Sequence, residues 1–429
     1  MAHWTEGGHL PLLAGAALLL AACGTGDPSD PPDPSGPITE LPRELSVVEQ
    51  DIVTAANAFG FDLFRLVHAE EQAPNVFLSP LSASFALGMA LNGTAGETWE
   101  GLRAGLRLGG HSEQEINEGY RSLLELLVGL DPHVEVGVGN SVWTRQGFPV
   151  LPSFVQTVKR YFGAEAQERD FDDPATLEAI NAWIRNATDG MIEKGIDEIS
   201  HADKVFLINA TYFIGKWTQP FDPRETRAEP FRRADGSTVS VPMMHLTGST
   251  LPYARTARYE AVELGYGGGA YAMTVVLPAP EVPLADLVAG LDAEAWDALV
   301  ADLDSVRMDL ALPKFRAAYD AYLNDPLVEM GMARAFSPDA DFSRLTPVGV
   351  CIQYVRQKTF VEVDEAGTRA AAATVGGVGV TSLPPTMRVD RPFLFAIRER
   401  FSGTVLFLGT IGDPMREEAP QPEKPAPPC

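Results

Sequence analysis

The sequence predicts an α+β fold with helices first and sheets later, and three observations carry that reading. Apolar residues recur at helical spacing through the first half, beginning with 47–69. The run "KVFLINATYFIGKW" at 204–217 is almost continuously apolar and β-branched, as a central strand buried on both faces would be. After it, strand-like segments follow at 239–245, 261–264, 271–278, 307–312, 359–363, 393–398 and 404–411. The chain has 429 residues, 45% hydrophobic and 21% charged, which is ordinary for a globular protein with a large core.

Charge and cysteine content narrow the function. A net charge of −25 argues against nucleic acid or an anionic membrane surface as partner. Cys23, Cys351 and Cys429 form no disulfide framework and no metal-spaced cluster, and no cofactor or metal is expected. Buried packing is the expected role of Cys351.

The N-terminal apolar stretch 10–22 is too short to span a bilayer, which takes about 20 residues. It fits a signal peptide over 1–22 and ends in Leu20-Ala21-Ala22-Cys23, which resembles a bacterial lipoprotein box with Cys23 as the lipidated residue. The start "MAHWTEGGH" departs from the pattern, because it lacks the usual Lys or Arg. A Pro/Gly/Asp-rich tether follows over 23–43, then the folded body over 44–414, then a disordered Pro-rich tail over 415–429.

Within the body, a short strand precedes Ser79-Pro80, where Ser79 suits an N-cap and Pro80 a first turn. Further helices are expected at 113–129, 151–162 and 177–187, and an alternating strand at 134–145. "GYGGGAY" at 265–271 reads as a hairpin turn, because no helix follows it. Asn92, Asn186 and Asn209 open N-x-T sequons but read as structural. There is no G-x-S-x-G elbow and no H-E-x-x-H, so nothing points to an enzyme.

The segment "DEAGTRAAAATVGGVGVTSLPP" at 364–385 is unusual. On composition alone it reads as a flexible linker or a short exposed helical turn. As a strand with Thr368 inward, its inward set would be Thr368, Ala370, Ala372, Thr374, Gly376 and Val378, all small and uncharged. Its one charge, Arg369, falls outward, so burial of the strand would not bury an ion at a cost of several kcal/mol. Gly367 supplies a pivot.

Several fragments in order resemble the serpin family over 44–414: "FLSPLSASFALGMALNGTAGET", "LINATYFIGKWTQPFDPRET", "VPMMH", "LPKFRAAYDAYLNDPLVEMGMARAFSPDADFSRLT", "DEAGTRAAAAT" and "VDRPFLFAIRERFSGTVLFLGTIGDP". The resemblance implies the serpin fold, three β-sheets with about nine helices and an exposed reactive loop. It implies a suicide inhibitor of serine proteases, which form a covalent acyl complex with the loop before it inserts into the main sheet. Carried over, the hinge is Glu365, Gly367, Thr368, Ala370, Ala371, Ala372 and Ala373. The reactive bond is Thr381–Ser382, flanked by Val378, Gly379, Val380 and Leu383, small residues that suit an elastase-like or subtilisin-like pocket.

The shutter is Ser79, Ser82 and Asn209, with Gln357 where the family usually has histidine, so imidazole-based pH dependence is removed there. Trp217 marks the breach where insertion begins, and Glu365 is expected to pair with a basic residue that the sequence does not identify. The acidic 111–132 resembles no heparin site. The expected protein is a monomer on the bacterial cell envelope, facing periplasm or exterior, or secreted if the lipoprotein box is unused. The alternative is a non-inhibitory serpin-fold binding or carrier lipoprotein, which the small, uncharged hinge disfavours. An envelope hydrolase is a third and remote reading.

Overall fold

Helix ends in this chain are set by a few polar side chains. Ser46 and Ser112 each close a capping box with a glutamate three residues on, Glu49 and Glu115. Proline occupies the first turn of three other helices, and Gly163 ends one in the left-handed conformation at φ 61°. The structure, a computed structural model, describes residues 36–368, 385–417 and 422. The expected site residues Cys23, Ala370, Ala371, Ala372, Ala373, Val378, Gly379, Val380, Thr381, Ser382 and Leu383 lie outside the described residues.

Nine α-helices are present among the described residues: α1 (Val47–Glu70), α2 (Pro80–Leu91), α3 (Gly96–Gly105), α4 (Glu113–Leu127), α5 (Pro152–Phe162), α6 (Pro174–Ala187), α7 (Leu284–Ala289), α8 (Ala293–Ala301) and α9 (Asn324–Leu327). The strands are β1 (Asn75–Leu78), β2 (Val134–Arg145), β3 (Glu165–Arg169), β4 (Val205–Lys216), β5 (Arg227–Arg232), β6 (Thr238–Arg255), β7 (Tyr259–Tyr266) and β8 (Tyr271–Pro278). They continue with β9 (Asp304–Pro313), β10 (Phe315–Tyr322), β11 (Arg356–Asp364), β12 (Gly367–Thr368), β13 (Thr386–Arg388), β14 (Phe393–Glu399) and β15 (Val405–Ile411).

The main sheet has six strands in the order β10-β11-β12-β4-β2-β3. The expected second and third sheets are joined into one hydrogen-bonded path, β1-β15-β14-β8-β7-β6-β9-β13, with β5 added on β6. β6 makes the junction. It is 18 residues long and shifts register between Leu246 and Ser249, so one end serves β5 while the other meets β7. The core lies between the sheets and around α2, which is buried on nearly every side. Phe77 stacks on Phe395 and Phe407 at 5.5 and 5.2 Å there. A second, smaller core of Trp143, Phe171, Ile180, Ile184, Ile196 and Phe206 fixes α6 to the outer face of the main sheet.

Some expectations need correction. The strand at 204–217 is not buried on both faces along its length: Leu207, Ile208 and Asn209 are all half-buried where β4 borders a slot. β10 was not expected. Its "FRAAYDAY" has buried residues at every second position, but its small and aromatic residues fit more than one period, and it lies at the sheet edge. The short helices α7, α8 and α9 also escaped the periodicity reading. Cys351 is half-buried rather than buried, and its sulfur is disulfide-bonded, so thiol packing is not its role. The end of the tether is held: Ile38 donates its amide to Gly268, and Arg43 pairs with Glu49. The start of the tail is held too, with the Glu417 carbonyl accepting from the Ala318 amide. The turn at "GYGGGAY" joins β7 to β8 as expected. Asn92 is buried and bonds Gly88 and Asn117, as a structural asparagine would.

Candidate functional site: a slot in the main sheet

Among the described residues, β4 and β11 are linked in the main sheet only through β12, Gly367–Thr368. Gly367 and Thr368 pair with Asp364 and Val363 on one side and with Lys216 and Gly215 on the other. Beyond this rung, β4 and β11 make no ladder with each other among the described residues. A cavity of about 630 Å³ lies there. Its walls are the two strands, with Asn209 and Thr211 facing Gln357 and Thr359; α2 contributes Ser82 and Leu87 to its lining, and the connector after α6 contributes Ile192 and Ile196. Buried backbone groups without partners are costly, so two strand edges bordering a slot form a receptor for a further strand.

The upper end of the slot is tightly built. Gly367 has φ 149°, and a Cβ there would lie 2.1 Å from the Gly215 carbonyl oxygen. Only glycine fits that approach. Thr368 is buried, as the inward register requires, and its hydroxyl is 2.8 Å from the Tyr266 hydroxyl. Burial pushes the Tyr266 phenol far above its ordinary value, so it stays a neutral hydrogen-bonding group. Trp217 stacks on Tyr266 at 4.4 Å and donates its indole N–H to the Asp364 carbonyl at 2.9 Å. Its backbone N–H bonds the Ala366 carbonyl. Trp217 therefore both packs and tethers the turn leading into β12.

Glu365 finds the partner that the sequence did not identify. Lys314 Nζ is 2.6 Å from one carboxylate oxygen, and the Thr226 hydroxyl donates to the other at 2.7 Å. Burial works against ionisation, but these two hydrogen bonds outweigh it and hold the Glu365 carboxyl below its usual range. Lys314, Thr226 and Tyr266 had no local sequence signal, because each reaches the hinge from a distant element.

The shutter residues do not form one network. Gln357 grips the Ser79 backbone at both ends: its carbonyl oxygen accepts from the Ser79 N–H at 2.9 Å, and its NH₂ donates to the Ser79 carbonyl at 2.8 Å. This is the donor-and-acceptor use expected of a glutamine at that position. The Ser79 hydroxyl donates to the Leu406 carbonyl and also accepts the Ser82 N–H as an N-cap. Ser82 thus joins through its backbone. Asn209 stands apart on β4 and donates to Asn140 of β2 at 2.8 Å. Asn140 in turn donates to the Phe162 carbonyl. The cluster is split into a β11 half and a β4 half, one on each side of the slot.

The ion pair at the hinge gives a signed prediction. A carboxylate whose folded pKa is depressed contributes stability above its unfolded pKa and loses it as pH falls through the folded value. Glu365→Gln should therefore lower stability at pH 7 by about 1–2 kcal/mol. The gap to the parent should close as pH falls below the ordinary glutamate range near 4.5. Denaturant unfolding across pH checks this, and a gap that is independent of pH would contradict the ionised pairing.

Comparison with known proteins agrees with the geometry. The family described as "Serpin (serine protease inhibitor)" matches residues 54–414. Iripin-8 of Ixodes ricinus is 33% identical over 386 residues, covering 86% of this chain and 95% of its own. Corticosteroid-binding globulin of Homo sapiens is 32% identical over 378 residues, covering 86% and 92%. The thermophilic serpin tengpin in its native state superposes with a TM-score of 0.78 at 27% identity, covering 88% of this chain and 97% of that one. With a slot flanked by β4 and β11, β12 paired to both at its top and this match along the body, the chain belongs to the serpin family.

Proposed function

We propose that this serpin is a suicide inhibitor of serine proteases with elastase-like or subtilisin-like specificity. One observation carries the reading: Gly367 and Thr368 already form the first rung of an added strand at the mouth of the slot. Counted on in the same register, Ala370 falls opposite Phe213 and Val361, and Ala372 opposite Thr211 and Thr359. Thr374 falls opposite Asn209 and Gln357, between the two halves of the shutter. Small inward residues thus meet the buried face of both strands, while Arg369 falls opposite Ile214 and Glu362 on the outward face.

In this reading the protease serine oxygen attacks the Thr381 carbonyl. The Thr381–Ser382 peptide bond breaks, the new amine leaves on Ser382, and an ester joins Thr381 to the protease. Insertion of the freed segment adds a strand to the main sheet, a known form of β-augmentation. It makes on the order of ten ladder hydrogen bonds at about 0.5–1.5 kcal/mol each, roughly 10 kcal/mol in all. Water must hydrolyse the ester before insertion finishes if the protease is to escape.

The second reading is a carrier. A relative of similar identity is named as a corticosteroid-binding globulin, and the cavity here is lined by apolar residues such as Leu87, Ile192 and Ile196. The hinge favours inhibition, because nothing charged or bulky lies in the inward set. Polyanionic activation is not part of the proposal: α4 carries Glu113, Glu115, Glu118 and Glu125. The envelope location remains a proposal from the sequence. It rests on Leu20-Ala21-Ala22-Cys23 following an apolar run.

Three measurements test these statements. Cleavage of the loop by a protease that is not trapped, with the fragments kept together, should raise the melting temperature by roughly 10–15 °C, and the uncleaved chain mixed with a target protease should give an SDS-stable complex. Only cleaved or intact chain on the gel, with a melting point that stays put or falls after cleavage, would favour the carrier. Thr368→Arg should turn the inhibitor into a substrate, because a charge would replace the hydroxyl buried against Tyr266; an unchanged stoichiometry of inhibition would overturn the hinge register. Mass spectrometry of the native N-terminus should find a lipidated Cys23, and an intact peptide across Ala22-Cys23 would rule out the anchor.

A further inference from the structure

The connector between α6 and β4, residues 188–204, lines the slot from outside and is held differently on its two sides. On the β4 side the hold is apolar packing reinforced by hydrogen bonds, among them Arg145 of β2 donating to the Ser200 and Asp203 carbonyls at 2.9 and 3.0 Å. Ile196 belongs to the small core with Phe206 and Trp143, and Asn181 of α6 fixes the backbone of Gly195 and Ile196 through three hydrogen bonds. On the β11 side the hold is ionic. Asp197 meets Arg356 at 2.6 Å, and Lys358 donates to the Lys194 carbonyl at 3.0 Å. A strand added between β4 and β11 must pass beneath this connector and take up a strand spacing of about 4.8 Å. The first hold joins the connector to β2, β4 and α6 and moves with them, whereas the Asp197–Arg356 pair reaches across to β11 and breaks over a short displacement.

We infer that Asp197 is a clasp on the β11 side of the connector and sets the rate at which the cleaved loop inserts. The inference rests on the loop-insertion reading above. The clasp is releasable because Arg356 keeps a second partner. Its guanidinium is bidentate to Asp320 of β10 at 2.8 and 2.7 Å. Letting go of Asp197 therefore strands no buried charge, which would otherwise make the opening very costly. Lys358 likewise retains Asp320 at 3.4 Å. Asp197 is 35% exposed, so salt reaches this pair and weakens it. Asp197 is a positioning residue: it touches neither the loop's reactive bond nor the protease.

The test separates insertion from inhibition. The full chain is nicked in the loop by a zinc endopeptidase, which forms no acyl-enzyme, and hydrogen exchange of Val205–Lys216 and Arg356–Asp364 then follows the added strand as protection develops. Asp197→Asn should insert about fivefold faster than the parent, a difference in barrier readable at that size. Raising salt from about 0.05 to 0.5 M should speed the parent and leave Asp197→Asn nearly unchanged. Asp197→Glu should restore the slower, salt-sensitive rate. Equal rates and equal salt response for parent and Asp197→Asn would overturn the clasp, and so would a nicked parent that gains no protection. If protection develops at clasp-dependent rates but no serine protease is trapped on a gel, the clasp stands and the inhibitory reading alone falls.

Discussion

Backbone hydrogen bonding along the facing edges of β4 and β11 is the constraint on which the rest of this structure depends. A sheet interior normally pairs every N–H and C=O, and here, among the described residues, two central strands are joined by only the two residues of β12. Everything around the slot reads as a response to that incomplete ladder. The hinge glycine lets the chain pass close to Gly215. Thr368 plugs the upper end against Tyr266. Polar side chains secure each strand to its own neighbours: Gln357 to Ser79 on one side, and Asn209 to Asn140 on the other.

The division of the shutter has a mechanical consequence. Bonds that crossed the slot would have to break before a strand could enter. Bonds that run from each wall to its own side do not. Gln357 holds the start of α2, while Asn209 is held by β2 and, through Asn140, by the end of α5. Gln357 carries no titratable group, so its grip on Ser79 contains no group that changes charge with pH. Charge enters instead at the edges of the slot, at Glu365 with Lys314 and in the cluster around Arg356.

The fold was legible where the signal was local. Ser79 before Pro80, the capping serines and the alternation of 134–145 each needed only a few neighbouring residues to be read. A period of two fixes which side chains turn inward once one residue is placed, and Thr368, placed inward by it, is buried; the rest of that expected inward set lies outside the described residues. The elements that escaped were short or ambiguous. "FRAAYDAY" carries small and aromatic residues that fit more than one period, and only its pairing with β11 makes it a strand.

Sequence alone therefore determined the capped helices and alternating strands that carry clear local signals, the small uncharged inward set of the segment after Gly367, and the family to which both point. Those properties follow from residue type and spacing, which act over a few positions along the chain. Only the tertiary structure decided which groups meet at the slot. Lys314 reaches Glu365 across 51 positions, Gln357 reaches Ser79 across 278, and Asp197 reaches Arg356 across 159. Contacts at such separations are set by how sheets and connectors pack, and a single lysine or aspartate carries no mark of the distant partner that packing brings to it.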